Sequence, residues 1–158
     1  MALAETLAGW AKAQGQDAAA LDPDGGVQLL VADEMAVDIG PSDTPEAFSM
    51  CASVGLLPEN GRDAIMEELL IANLEGLGTG GASLSLDIMR DEIVLCRVYH
   101  TDDLSPSVFN EEFNAFVNVL KFWRDRHKSG ALGSGGGAGP DAADKGSAGA
   151  ERSGFVRV

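Results

Sequence analysis

Two histidines, two cysteines and three of the adjacent acid pairs are the first candidates for chemistry in this 158-residue sequence. A general base or nucleophile works only where a second group lies within hydrogen-bond reach. His100 follows Tyr99 and precedes Thr101-Asp102-Asp103, and His127 sits in the basic run Arg124–Lys128. Neither belongs to a local nucleophile motif, which leaves only partners distant in sequence. Glu67/Glu68, Asp102/Asp103 and Glu111/Glu112 are adjacent pairs. On a helix such neighbours diverge by about 100°, so they read as solvated faces rather than convergent acids. Cys51 and Cys96 each fall inside a predicted strand and read as buried, reduced thiols. No Cys/His spacing suggests zinc. Gly78-Thr79-Gly80-Gly81 has the composition of a phosphate cradle, but no lysine follows, and it leads into a strand rather than a helix N-terminus. No catalytic, cofactor-binding or metal-binding set is assigned. The expectation is a protein that is not an enzyme and needs no cofactor.

The elements around these residues are more informative. Residues 3–14 carry Leu3, Leu7 and Trp10 at i, i+4, i+7, a short amphipathic helix weakened by Gly9. The cluster Asp22-Pro23-Asp24-Gly25-Gly26 is a turn, followed by a strand over Val27–Ala32. Asp33-Glu34 connects tightly to Met35–Ile39, and Gly40–Pro45 is a loop. Ala47–Gly55 alternates, with Phe48, Met50, Ala52 and Val54 on one face. A second helix runs from Arg62 to about Leu74, with Gly76 as its left-handed stop. Ser83–Met89 and Ile93–His100 are strands joined by Arg90-Asp91-Glu92. Ser105 is an N-cap and Pro106 fits the first helical position. Phe109, Phe113, Phe116, Leu120 and Trp123 then form the buried stripe of a third helix. The order α-β-β-β-α-β-β-α with short links between strands predicts an α+β fold on an antiparallel sheet.

Ile65, Met66, Leu69, Leu70 and Leu74 sweep about half the circumference of the second helix, wider than packing on one sheet requires. Either a partner subunit covers the remainder or the helix is sunk deep in its own core. From Ser129 the composition turns to Gly, Ala and Ser, which cannot bury enough apolar area to offset ordering entropy. The expected organisation is a folded domain over 1–128 and a flexible tail over 129–158. The more apolar end Phe155–Val158 reads as a frayed terminus or a short docking strand.

Composition excludes several classes. The net charge is −14, with eight Lys/Arg against 22 Asp/Glu in residues 1–128 and three against three beyond. An acidic folded part argues against nucleic acid or an anionic membrane as partner. The N-terminus lacks a basic region followed by an apolar run, and no stretch reaches the roughly 18 apolar residues of a membrane span. A cytoplasmic protein is expected, without membrane insertion.

The stretch Leu69-Leu70-Ile71-Ala72-Asn73-Leu74, Gly76, then Thr79-Gly80-Gly81-Ala82-Ser83-Leu84-Ser85-Leu86-Asp87 resembles the class I type III secretion chaperones, the Tir-chaperone family. The end of strand three, Val54–Pro58, the hairpin segment Ile93-Val94-Leu95-Cys96 and the closing aromatic helix continue the likeness, which covers about residues 1–128. The long Gly/Ala tail departs from it. The resemblance implies a twisted five-stranded antiparallel sheet with three helices, assembled as a homodimer. It implies an ATP-independent bacterial chaperone that binds the N-terminal region of a secreted effector and keeps it extended for export. A dimeric adaptor or regulator of the same fold, acting on a cytoplasmic protein, is the alternative. The implied dimer contact is Ile65, Met66, Leu69, Leu70 and Asn73. Client contacts are placed on Leu3, Leu7 and Trp10, with Leu29, Val31, Met35 and Val37 as the floor; each of these serves equally well as ordinary core.

Overall fold

The computed structural model describes residues 3–15, 21–32, 34–102 and 104–135. Asp33, Asp103 and the tail from residue 136, with Phe155–Val158, lie outside the described residues. The elements are α1 (Leu3–Ala13), β1 (Val27–Val31), β2 (Met35–Pro41), β3 (Ala47–Leu56), α2 (Arg62–Asn73), β4 (Ser83–Asp87), β5 (Glu92–His100) and α3 (Pro106–Lys128). The order is the one that the hydrophobic pattern predicts.

All five strands form one antiparallel sheet in the order β1-β2-β3-β5-β4. Strand β4 follows α2 and pairs outside β5, so β5 lies between β3 and β4. Alternation divides the sheet cleanly. Val37, Ile39, Phe48, Met50, Ala52, Val54, Leu84, Ile93 and Leu95 are all buried. They form one core with Phe109, Phe113, Phe116, Leu120 and Trp123 of α3. The other face carries Gln28, Asp38, Ser49, Cys51, Ser53, Cys96, Ser83 and Ser85, none of them fully buried.

Local chemistry sets the ends of these elements. The Ser105 hydroxyl accepts from the Val108 amide and Pro106 occupies the first turn, an N-cap with a proline start. Strand β4 ends at Asp87, two residues before the expected Met89. The Asp87 carboxylate accepts from the Met89 and Arg90 amides, and this side-chain turn competes with continuing the ladder. Helix α2 ends at Asn73 and tightens into a short 3-10 turn, Leu74–Gly76. Gly76 has the expected positive φ of 69°, and Glu75 also takes a left-handed conformation at 55°. Trp123 is fully buried, and its indole N–H donates to the Gly78 carbonyl at 3.0 Å.

Residues 129–135 do not leave the domain at once. Glu68 of α2 accepts from the Arg126 Nε at 2.9 Å and from the Gly133 amide at 2.7 Å. Leu132 packs partly buried against the core. Glu68 is therefore no part of a solvated face, as its pairing with Glu67 suggested. Helical geometry separates the two, leaving Glu67 in water and Glu68 in a buried ion pair.

Candidate functional site: an apolar helix arc and a free sheet edge

The residues with chemical potential are not brought together. His100 pairs with Ala47 at one end of β3, whereas the His127 ring donates to the Leu56 carbonyl at the other. Nine steps of extended strand separate these ends, about 30 Å. Glu111 faces solvent, and Glu112 is 3.4 Å from Arg97 in an ion pair. The amides of Gly78, Thr79, Gly81 and Ala82 are all engaged by carbonyls within residues 72–79, so the glycine turn has no fan of free N–H groups to offer a phosphate. Among the described residues no group of three or more His, Cys, Asp or Glu is placed to hold a metal ion. A cleft of about 430 Å³ between that turn, β5 and α3 is lined by Arg97, Tyr99, Phe116 and Val119. Burial pushes the Tyr99 hydroxyl up to about 12, and the Arg97 guanidinium lies 4.6 Å above its ring.

The exposed apolar surface is concentrated elsewhere. Helix α2 presents two arcs. Ile65, Leu69 and Ala72 are buried beneath it. Met66, Leu70, Ile71 and Leu74 follow round to the solvent side, with Leu70 71% exposed and Leu74 65%. Leu77, just beyond, is also exposed, as are Ile88 and Met89 in the β4–β5 turn. The half-circumference read in the sequence is thus divided between the core and water. Of the five residues expected at a dimer contact, Ile65 and Leu69 lie inside this chain's own core, while Met66 and Leu70 are outside. Asn73 does something different. Its side-chain amide donates to the Leu84 carbonyl at 2.9 Å, and its oxygen accepts from the Leu84 amide at 2.8 Å. In this way α2 closes part of the outer edge of β4, where an added strand would otherwise pair. Ile71 and Leu77 were not singled out in the sequence. The run Leu69-Leu70-Ile71 was the available signal, since three consecutive apolar residues cannot all face one core on a helix.

At the opposite end of the sheet, β1 pairs with β2 alone. Its other edge has no strand partner among the described residues. Leu29, Val31 and Met35 are half-buried beside that edge, and Val37 is completely buried. On α1, Leu7 is core at 5% exposure and Leu3 is half-buried. Trp10 anchors α1 to α3: its indole N–H donates to Asn110 Oδ1 at 3.0 Å, and its ring meets Phe109 and Phe113 edge-on at 5.4 and 5.5 Å. Gly9 permits this approach, because a Cβ there would lie 2.8 Å from Pro106. Leu30, 69% exposed on the open sheet face, is an apolar edge residue that the sequence reading did not assign.

The known proteins that this chain resembles agree with this architecture. Residues 5–124 match the Tir chaperone protein (CesT) family. The match spans most of the chain, and the protein belongs to that family. No curated protein sequence matches it. Among solved structures, a chain of the ExsC–ExsE complex superposes with a TM-score of 0.66 at 20% identity, covering 79% of this chain and 96% of that one. A chain of the HopA1–SchA chaperone–effector complex gives 0.63 at 13% identity, covering 77% and 91%. The Yersinia pestis type III secretion chaperone SycH, solved with a stable fragment of YscM2, gives 0.61 at 16% identity, covering 75% and 96%. At these identities the likeness is one of fold.

Proposed function

We propose that this protein is a homodimeric, ATP-independent chaperone of the bacterial cytoplasm. It binds the N-terminal region of a type III secreted effector and holds it extended for export. Membership of the CesT family supports the class, and the similar HopA1–SchA fold was solved in a chaperone–effector complex. The observation that carries the reading is the pairing of an exposed apolar arc on α2 with an unpartnered edge at β1. The two surfaces lie at opposite margins of the sheet, so each has its own partner. The arc of Met66, Leu70, Ile71 and Leu74 meets its counterpart on a second copy. An isologous contact uses the same patch twice, and burying such side chains removes apolar surface from water. The β1 edge receives the client as an added strand, with Leu29, Val31 and Met35 supplying apolar contact and Leu3 and Trp10 extending it along α1. Leu7 and Val37 act from beneath as floor. The client orders only when bound, which offsets part of the contact energy and keeps the complex releasable. No catalytic step enters this scheme.

Tagged capture from the native bacterium, followed by limited proteolysis and mass spectrometry, tests it. The expected result is a secreted protein protected only in its N-terminal segment, at two chaperone subunits per client. A resident cytoplasmic protein as the bound species instead replaces the reading with that of an adaptor.

A further inference from the structure

Cys51 and Cys96 are the chain's two cysteines. They stand directly opposite one another in the central β3–β5 ladder. Opposed residues of an antiparallel pair have Cα atoms about 4.5–5.5 Å apart, inside the range of about 4.4–6.8 Å that a disulfide spans. Both side chains point to the open face of the sheet, away from the helices, and both are half-buried free thiols. They line one trough of about 430 Å³, whose walls include Gln28, Asp38, Ser53 and Val94. The trough gives a small solute access to both sulfurs. The interaction of the two thiols across the ladder lowers Cys51 and raises Cys96; burial and the nearby Asp38 carboxylate act against the first shift. Cys51 is therefore the nucleophile of the pair and Cys96 the resolving thiol.

We propose that Cys51 and Cys96 are a modification site, a dithiol that hydrogen peroxide converts to a cross-strand disulfide on the open face of the sheet. The Cys51 thiolate attacks one peroxide oxygen and the O–O bond breaks, leaving a sulfenic acid and a hydroxide that is protonated to water. The Cys96 sulfur then attacks the Cys51 sulfur, the S–O bond breaks, and the departing hydroxide takes the Cys96 proton as a second water. Two thiols lose two electrons and one peroxide becomes two waters. The charge of the site selects the oxidant. Asp38, Asp87 and Glu92 outnumber the single cation Arg90 along the trough and the protein carries −14 overall, which repels anionic glutathione disulfide but not neutral peroxide.

The full-length protein, freed of reductant and exposed to hydrogen peroxide, is then unfolded with a maleimide and weighed intact. The expected product is a single chain about 2 Da lighter with no maleimide added, from the two hydrogens lost. Before unfolding it melts about 5 °C or more higher, because the cross-link closes the long loop through α2 and β4. Dithiothreitol reverses both changes. Cys96→Ser is expected to lose the mass shift and to accumulate a sulfenic acid at Cys51 that dimedone traps, and Cys96→Ala repeats the test should the serine variant fold poorly. Glutathione disulfide at equal concentration is expected to react at least about tenfold more slowly. Two thiols that remain open to maleimide in the wild type, under conditions that oxidise Cys51 in the single variant, overturn the proposal. So do disulfides found only between chains, or faster oxidation by glutathione disulfide than by peroxide.

Discussion

Helices α2 and α3 carry apolar residues at the same helical spacing and use them in opposite ways. In α3, Phe109, Phe113, Phe116, Leu120 and Trp123 all lie within the chain's own core. The apolar residues of α2 divide between the core and solvent: Leu69 is buried and its neighbour Leu70 is 71% exposed. The difference follows from position. Helix α3 lies across the middle of the sheet and contacts β3, whereas α2 contacts the edge strand β4. A helix over the centre of a sheet can bury its whole stripe. One at the margin buries only the side that faces inward and leaves its remaining apolar surface open to a partner.

Substitutions that discriminate between the two uses test this contrast directly. Leu69→Asp places an unpaired charge in the core and is expected to cost more than about 4 kcal/mol, giving insoluble or unfolded chain on expression; a soluble, cooperatively folded variant would break the contrast. Trp123→Ala removes the largest fully buried side chain and its bond to the Gly78 carbonyl. The expected loss is about 3–5 kcal/mol in urea unfolding, with the midpoint lowered. Glu68→Ala strands the largely buried Arg126 and frees the Gly133 amide. A loss of about 2–3 kcal/mol is expected, together with faster hydrogen exchange over residues 131–135. Leu70→Asp touches only the outer arc, so it changes the stability of the monomer by about 0.5 kcal/mol or less. Light scattering is expected to show its mass halved relative to wild type, and a variant that remains a dimer would remove α2 from the interface.

The smallest effect comes from Tyr99, the chain's only tyrosine. Burial raises it from its ordinary 10 to about 12. Between these values the unfolded chain has lost the phenolic proton and the folded chain has kept it. The stability it contributes is therefore complete below pH 10 and is lost as pH rises through 12. Phenolate absorbance against pH, native and in denaturant, is expected to give two curves separated in that sense. Tyr99→Phe is expected to remove this part of the alkaline decline.

Much of the architecture could be read from the sequence because its signals are local. The strict alternation of β3, the Ser105-Pro106 helix start and the glycine at position 76 each reflect backbone or side-chain periodicity that neighbouring residues specify. The wide apolar arc on α2 was equally visible, as was the absence of any local catalytic motif. What neighbours could not specify was which part of an apolar set would be covered. Leu7 and Val37 look in sequence like Leu3 and Leu29, yet the first two lie in the core and the others at its margin. The family resemblance placed Asn73 at the dimer contact; the return of β4, eleven positions on, makes it the clasp on Leu84. Glu68 looked like its neighbour Glu67 until α3 brought Arg126 beside it. Cys51 and Cys96, 45 positions apart, became partners through the β3–β5 register. The sequence by itself determined the periodicities, the caps and the total apolar surface. The tertiary structure alone decided burial, pairing and which edges stayed open, because each depends on contacts between residues whose separation along the chain leaves no local trace.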